Sequence, residues 1–196
     1  MSRRRVTGLV LAAGGSSRLG QPKQLLPFGD GTLLDRTLAT ARACEFDQVI
    51  CVIGGGVIDQ IRATVDLSGA DVVENHDYGE GCASSIAKAL EAVDPESELL
   101  VLLLGDQPGV TAQTVRALLD GRCDAPLALC GYDNGRGHPF AFAGRFFPEL
   151  AALHGDKGVW KLQDRYEDEL AEVRIPGPVP LDVDTWEDYQ AVQSFA

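Results

Sequence analysis

Three short runs of almost unbroken apolar residues constrain this chain more than any other feature: RVTGLVLA at 5–12, QVICVI at 48–53 and ELLVLLL at 98–104. None approaches the ~18 apolar residues that a membrane span requires. They lack the alternation of a strand with one wet face, and suit strands buried on both faces, as in a parallel sheet. Parallel strands need crossover helices, and the chain supplies them. Gly14 and Gly15 follow the first run, and 32–43 then carries Leu33, Leu34, Leu38 and Ala41 at helical spacing behind Thr32 as N-cap. GGG at 54–56 follows the second run and leads into a helix around 57–65, and a short strand is expected at 70–74. NHDYGEG at 75–81 reads as a loop before a helix over 82–93, with Ile86, Leu90 and Val93 on one face. GDQPG at 105–109 turns the third run toward a helix over 112–120, capped by Thr111. This alternation predicts an α/β fold with a largely parallel sheet.

The C-terminal part is less regular. Residues 126–130 and 139–143 read as strands separated by a polar, glycine-rich loop, YDNGRGH. Helices are expected at 144–153 and 157–165, then a strand near 170–175. PGPVP at 176–180 excludes regular structure. DTWEDYQAVQSF reads as a final helix, with Asp184 and Glu187 in capping-box spacing. With no internal repeat or long linker, one domain over 1–196 is expected.

Acidic residues outnumber basic ones 29 to 17, giving a net charge of −12. Such a chain is poorly suited to nucleic acid or to an anionic membrane surface. Yet residues 1–29 hold Arg3, Arg4, Arg5, Arg18 and Lys23 and no acid, which points to a small anionic ligand. The cysteines, Cys44, Cys51, Cys82, Cys123 and Cys130, are odd in number and form no C-x-x-C, so reduced thiols in a cytoplasmic protein are expected. SRRR before VTGLVLAAGG resembles a secretory leader, but its apolar stretch is short and runs into a Gly/Ser/Arg loop, which favours a buried first strand.

LAAGGSSRLGQPK, at 11–23, is the clearest chemical signal. A Gly/Ser-rich loop after a buried strand can aim several backbone N–H groups at an oxyanion, and Arg18 and Lys23 add fixed charge. It is not a Walker A loop: Gly15 and Gly20 have the right separation, but Gln21 and Pro22 stand where Lys and Ser/Thr are needed. It also lacks G-x-G-x-x-G, so a dinucleotide fingerprint is not supported.

With its continuation QLLPFGDGTLLDRTL, this segment is similar to the opening of the MobA/MocA-like nucleotidyltransferases. The resemblance continues in order through NHDYGEGCASSI, GDQPGVT, GRGHPFAF and LDVDTWEDY, and so covers nearly the whole chain. It implies a three-layer α/β/α sandwich with a mostly parallel mixed sheet, like that of the glycosyltransferase-A enzymes. It also implies that Ala12, Ala13, Gly14, Gly15, Ser17, Arg18 and Lys23 surround a nucleotide. Guanylyltransferases of the family tend to carry LAGG, so LAAGG favours CTP over GTP. The Ala13 methyl would change how closely a base approaches the backbone.

Asp106 directly follows the third apolar run, at the strand end where open α/β sheets bind ligands. Nucleotidyl transfer calls for a hard cation on one or two carboxylates plus phosphates and water. Asp106 fits that role for Mg²⁺ and matches the family's metal-binding aspartate. Asp182 and Asp184, two apart in an extended segment, can face the same way and make a second acidic pair. Asp184 also suits the last helix's N-cap, and Trp186 stands where the family usually has proline.

On the acceptor side, Ser84 and Ser85 near a helix N-terminus form a candidate anion site. Arg136, Gly137 and His138 match the family's GHP motif, with Arg136 suited to a phosphate and His138 to a pterin or its phosphate. Cys82 reads as a small buried residue rather than a nucleophile, and His76 and His154 as surface or capping histidines.

The resemblance implies Mg²⁺-dependent transfer of CMP from CTP to the terminal phosphate of a molybdopterin-type molybdenum cofactor, with release of pyrophosphate. Lys23, Arg18 and Asp106 would carry the chemistry. Two alternatives stay open: a nucleotidyltransferase using GTP or acting on a sugar phosphate or other phosphorylated acceptor, and a cofactor chaperone without turnover. Neither a nucleic-acid nor a membrane partner is expected. A transient contact with a recipient molybdoenzyme is open in either case.

Overall fold

The computed structural model describes residues 4–16, 18–155 and 158–195. In chain order its elements are β1 (Val6–Ala12), a small hairpin of β2 (Pro27–Phe28) and β3 (Gly31–Thr32), α1 (Leu33–Ala43), β4 (Gln48–Gly54), α2 (Ile58–Thr64), β5 (Asp71–Asn75), α3 (Cys82–Leu90), β6 (Leu99–Leu104), α4 (Ala112–Gly121), β7 (Leu127–Tyr132), β8 (Gly135–Ala143), α5 (Phe147–Ala151), α6 (Gly158–Arg165), β9 (Leu170–Arg174) and α7 (Trp186–Val192). No helix among the described residues is long and apolar enough to cross a membrane.

The seven-stranded sheet has the order β5-β4-β1-β6-β8-β7-β9. Strands β5, β4, β1 and β6 run parallel, β8 is antiparallel to β6 and β7, and β9 runs parallel to β7. Central β1 is paired on both edges, Leu9 lying opposite Ile50 of β4 and Leu102 of β6. Both of its faces are covered, as the unbroken apolar run requires. Val10 and Ala12 join Leu34 and Leu38 of α1, Ile61 of α2 and Leu118 of α4 in one core. Leu9 joins Ile86 of α3, Leu150 of α5 and Leu162 of α6 in the other. Two helical layers thus enclose the sheet.

From β1 the chain moves outward to β4 and β5, then returns to the other side of β1 for β6. The strand order therefore reverses at β1 and β6, and a crevice opens beyond their carboxyl ends. Glycines let the neighbouring backbones close up there. A Cβ on Gly54 would lie 2.6 Å from the Asn75 carbonyl oxygen, and one on Gly105 3.0 Å from both the Leu11 carbonyl oxygen and the Ala12 Cβ.

A third apolar cluster holds the crevice's lip. Leu19, Leu26 and Phe28 from the segment after β1 pack with Val183 and with Tyr189 and Val192 of α7. The Tyr189 hydroxyl donates to the Pro27 carbonyl at 2.6 Å. The C-terminal segment is thereby folded back over the first loop.

Several sequence expectations need correction. YDNGRGH is not a loop: β7 runs to Tyr132, β8 starts at Gly135, and only Asp133 and Asn134 lie between them. Those polar residues are satisfied by the proline-rich segment, since Asp133 exchanges hydrogen bonds with Gly177, and the Val179 N–H donates to Asn134. Asp184 does not cap α7. Thr185 is the N-cap and forms a capping box with Asp188, one residue on from the expected register. The helix expected at 144–153 is a 3₁₀ turn at Gly144–Phe146 followed by the short α5, and α3 stops at Leu90.

Candidate functional site

The first loop is shaped by two side chains. Gln24, fully buried, donates from Nε2 to the carbonyls of Ala12 at 2.7 Å and Gly14 at 2.9 Å. The Ser16 hydroxyl accepts from the Lys23 N–H at 2.9 Å. With two carbonyls turned onto Gln24, the loop leaves Ala13, Gly14 and Gly15 on the wall of a cleft of about 560 Å³ that also holds Lys23 and Asp106. Gly55, with φ of +81°, approaches the Gly14 carbonyl from the end of β4 and lines a second depression behind the same loop. Ser17 lies outside the described residues.

Lys23 is the electrostatic centre. Its Nζ stands 2.5 Å from Asp106 Oδ2 and 2.8 Å from Asp184 Oδ1, with only 13% of the side chain exposed. Burial alone would lower its basicity, but the two carboxylates outweigh that and hold the ammonium above its usual range. Arg18, mostly exposed, reaches Asp184 Oδ2 at 3.3 Å. The backbone explains the convergence: the Val183 N–H donates to the Asp106 carbonyl at 3.0 Å, tying the segment before α7 to the end of β6.

Asp182 lies on the cleft wall beside this pair. Desolvation there, with the charges of Asp106 and Asp184, pushes its carboxyl up to about 6, against an opposing hydrogen bond from Gln107. Among the described residues no three His, Cys, Asp or Glu side chains form a ready-made metal cage. The donor set nevertheless fits a hard cation that retains water and phosphate ligands. Asp106 and Asp184 already converge on one cationic atom, and Mg²⁺ typically uses only one or two carboxylates.

The far half of the cleft is aromatic. The His138 ring stacks on Phe140 with centroids 4.0 Å apart, and Trp160 meets Phe140 edge-on at 5.0 Å and His138 at 6.2 Å. Burial pushes the His138 imidazole down to about 3, so it is neutral at ordinary pH. Gly137 lies buried on the same wall. Arg136 reaches the cleft, but its guanidinium is paired with Glu167 and Glu172, each at 2.7 Å.

The two serines are occupied structurally. Buried Asn75 donates from Nδ2 to Ser84 Oγ and Ser85 Oγ, both at 2.9 Å. Ser85 lines the cleft, whereas Ser84 faces a separate depression toward His154. Cys82 lies on the cleft wall at the start of α3, and His76 is exposed beside Glu74.

The structure thus brings Ala12, Ala13, Gly14, Gly15, Lys23, Asp106, Asp182, Ser85, Arg136, Gly137 and His138 to one cleft, with Asp184 and Arg18 joined through ion pairs. Sequence reasoning missed Gln24, Gln107, Gly55 and Trp160. The glycines after β4 signalled Gly55. Nothing local signalled the others, because their importance lies in contacts across the fold.

A glycine-rich first loop beside acidic residues, at the reversal point of a mostly parallel sheet, defines an α/β protein of the nucleotidyltransferase type, and solved nucleotidyltransferases share this GT-A-like fold. The chain belongs to the MobA-like NTP transferase domain family, whose model matches residues 8–170. It is 32% identical over 162 residues to nicotine blue oxidoreductase of Paenarthrobacter nicotinovorans, covering 78% of each chain. It is 33% identical over 133 residues to the molybdenum cofactor cytidylyltransferase of Escherichia coli K12, covering 67% of this chain and 66% of that one. The crystal structure of Rv0371c from Mycobacterium tuberculosis H37Rv in complex with manganese superposes with a TM-score of 0.87 at 45% identity, over 98% of this chain and 100% of that one.

Proposed function

We propose that the chain transfers CMP from CTP to the terminal phosphate of a molybdopterin-type molybdenum cofactor, releasing pyrophosphate. The observation that carries this reading is the Lys23 ammonium held between Asp106 and Asp184 at the mouth of the glycine-rich loop. The relative from E. coli supports the acceptor and the nucleotide.

In this reading the N–H groups of the loop over Ala13–Gly15 and the charges of Lys23 and Arg18 receive the triphosphate. Asp106 and Asp184, with Asp182 beside them, would hold Mg²⁺, which supplies polarisation of the α-phosphate when bound. Manganese in the Rv0371c complex supports a divalent cation. An oxygen of the acceptor's phosphate attacks the α-phosphorus. The new O–Pα bond forms as the bond from Pα to the bridging oxygen breaks, and the β- and γ-phosphates leave together. The attacking phosphate is already ionised, so neutral His138 is not needed as a base. Catalysis then rests on positioning and charge stabilisation.

The test is pyrophosphate release from purified protein with molybdenum cofactor, Mg²⁺ and each nucleoside triphosphate in turn. Release with CTP alone, abolished by EDTA, is expected. Release with GTP or with a sugar phosphate reassigns the substrate. Cofactor binding without release points to a chaperone, and turnover of nicotine blue without release points to the chemistry named for the Paenarthrobacter relative.

A further inference from the structure

The cleft divides into two unlike halves. One is charged and glycine-lined, around Lys23 and Asp106. The other is walled by aromatic and aliphatic side chains, with Trp160, His138, Val159 and Val179 all on its surface. Trp160 is 36% exposed, unusual for a tryptophan touching two other rings, and it belongs to α6 rather than to the β8 segment that carries His138 and Phe140. Its indole is thus anchored by edge contacts yet open to the cleft.

We propose that Trp160 is a specificity-determining residue of the acceptor half, selecting a flat heteroaromatic ring that stacks on its exposed indole and disfavouring a sugar phosphate. The inference rests on the proposed transferase reading for the word acceptor, but its test does not need turnover. A sugar offers hydroxyls and a puckered surface, which gain little from an exposed indole face. A fused nitrogen heterocycle offers a flat π-face for stacking.

The experiment uses the Trp186→Phe variant, so that Trp160 is the one tryptophan, and titrates neopterin or glucose 1-phosphate without nucleotide or metal. Saturable quenching of Trp160 emission by neopterin is expected, with none from glucose 1-phosphate. Neopterin affinity, measured by equilibrium dialysis, should fall by about tenfold in Trp160→Ala and be largely kept in Trp160→Phe. CTP affinity should stay unchanged in both Trp160 variants. Equal binding of glucose 1-phosphate, or an unaltered neopterin affinity in Trp160→Ala, would overturn the proposal, as would loss of CTP and neopterin binding together. Pyrophosphate release scores the transferase reading separately, so either can fail while the other stands.

Discussion

Lys23 and Asp106 meet at 2.5 Å although they come from opposite edges of the crevice, one from the loop after β1 and the other from the end of β6. Asp184 completes the bridge at 2.8 Å from a third segment. One ammonium therefore bridges two carboxylates, offsetting one of their two charges, where a divalent cation and a triphosphate are proposed to sit. On the proposed reading, a metal held by Asp106 and Asp184 would free Lys23 to turn to the phosphates.

Lys23→Met should consequently do two things. In EDTA it leaves Asp106 and Asp184 without their shared cation, and the melting temperature should drop by several degrees. Mn²⁺ without nucleotide should then raise the melting temperature more in the variant than in the parent. A variant as stable as the parent in EDTA would remove Lys23 from this electrostatic role.

Asp106→Ala should lower turnover by more than about 10²-fold, the scale of losing one group that stabilises transition-state charge. Because Asp106 lies at a strand end, circular dichroism should stay native. Near-normal kcat in this variant would take Asp106 out of the mechanism.

The capping box of α7 also bears on activity. Thr185→Ala removes the hydroxyl that accepts from the Asp188 N–H, at a cost of about 1 kcal/mol. It also loosens the turn that presents Asp184 to Lys23. A modest loss of stability is expected together with a larger rise in the metal concentration giving half-maximal rate. A stability change with unaltered metal dependence would confine Thr185 to capping.

His138 predicts an acid sensitivity. Its imidazole is held down to about 3 in the folded chain, against about 6.5 when unfolded. Between those values the unfolded chain takes up a proton that the folded one refuses. The ring's contribution to stability is complete above about 6.5 and is lost as the pH falls toward 3. Urea midpoints from pH 7 to pH 4 should therefore decline less in His138→Phe, which keeps a ring on Phe140. Parallel declines in the two proteins would show that His138 does not titrate this way.

Much of the sheet was legible because its central strands are buried on both faces, which demands near-continuous apolar runs such as LLVLLL. Thr32 and Thr111 were legible as caps because their signals are local. The β7–β8 hairpin was not, since Asp133 and Asn134 look like a solvated loop until the segment around Gly177 supplies their partners. The α7 cap was misread by one residue because DTWED offers two overlapping frames, and only the backbone favours Thr185 over Asp184. Lys23 and Asp106 stood out as chemistry-bearing residues in their loops. Gln24 and Trp160 did not, as one works by binding carbonyls across the loop and the other by reaching in from a separate helix.

The most direct measurement follows the label. The protein would be incubated with molybdenum cofactor, Mg²⁺ and CTP labelled at either the α- or the γ-phosphate. The account predicts that α-label appears in the cofactor product and γ-label in pyrophosphate, in equal amounts. Absence of α-label from the cofactor, whatever else is released, would contradict it.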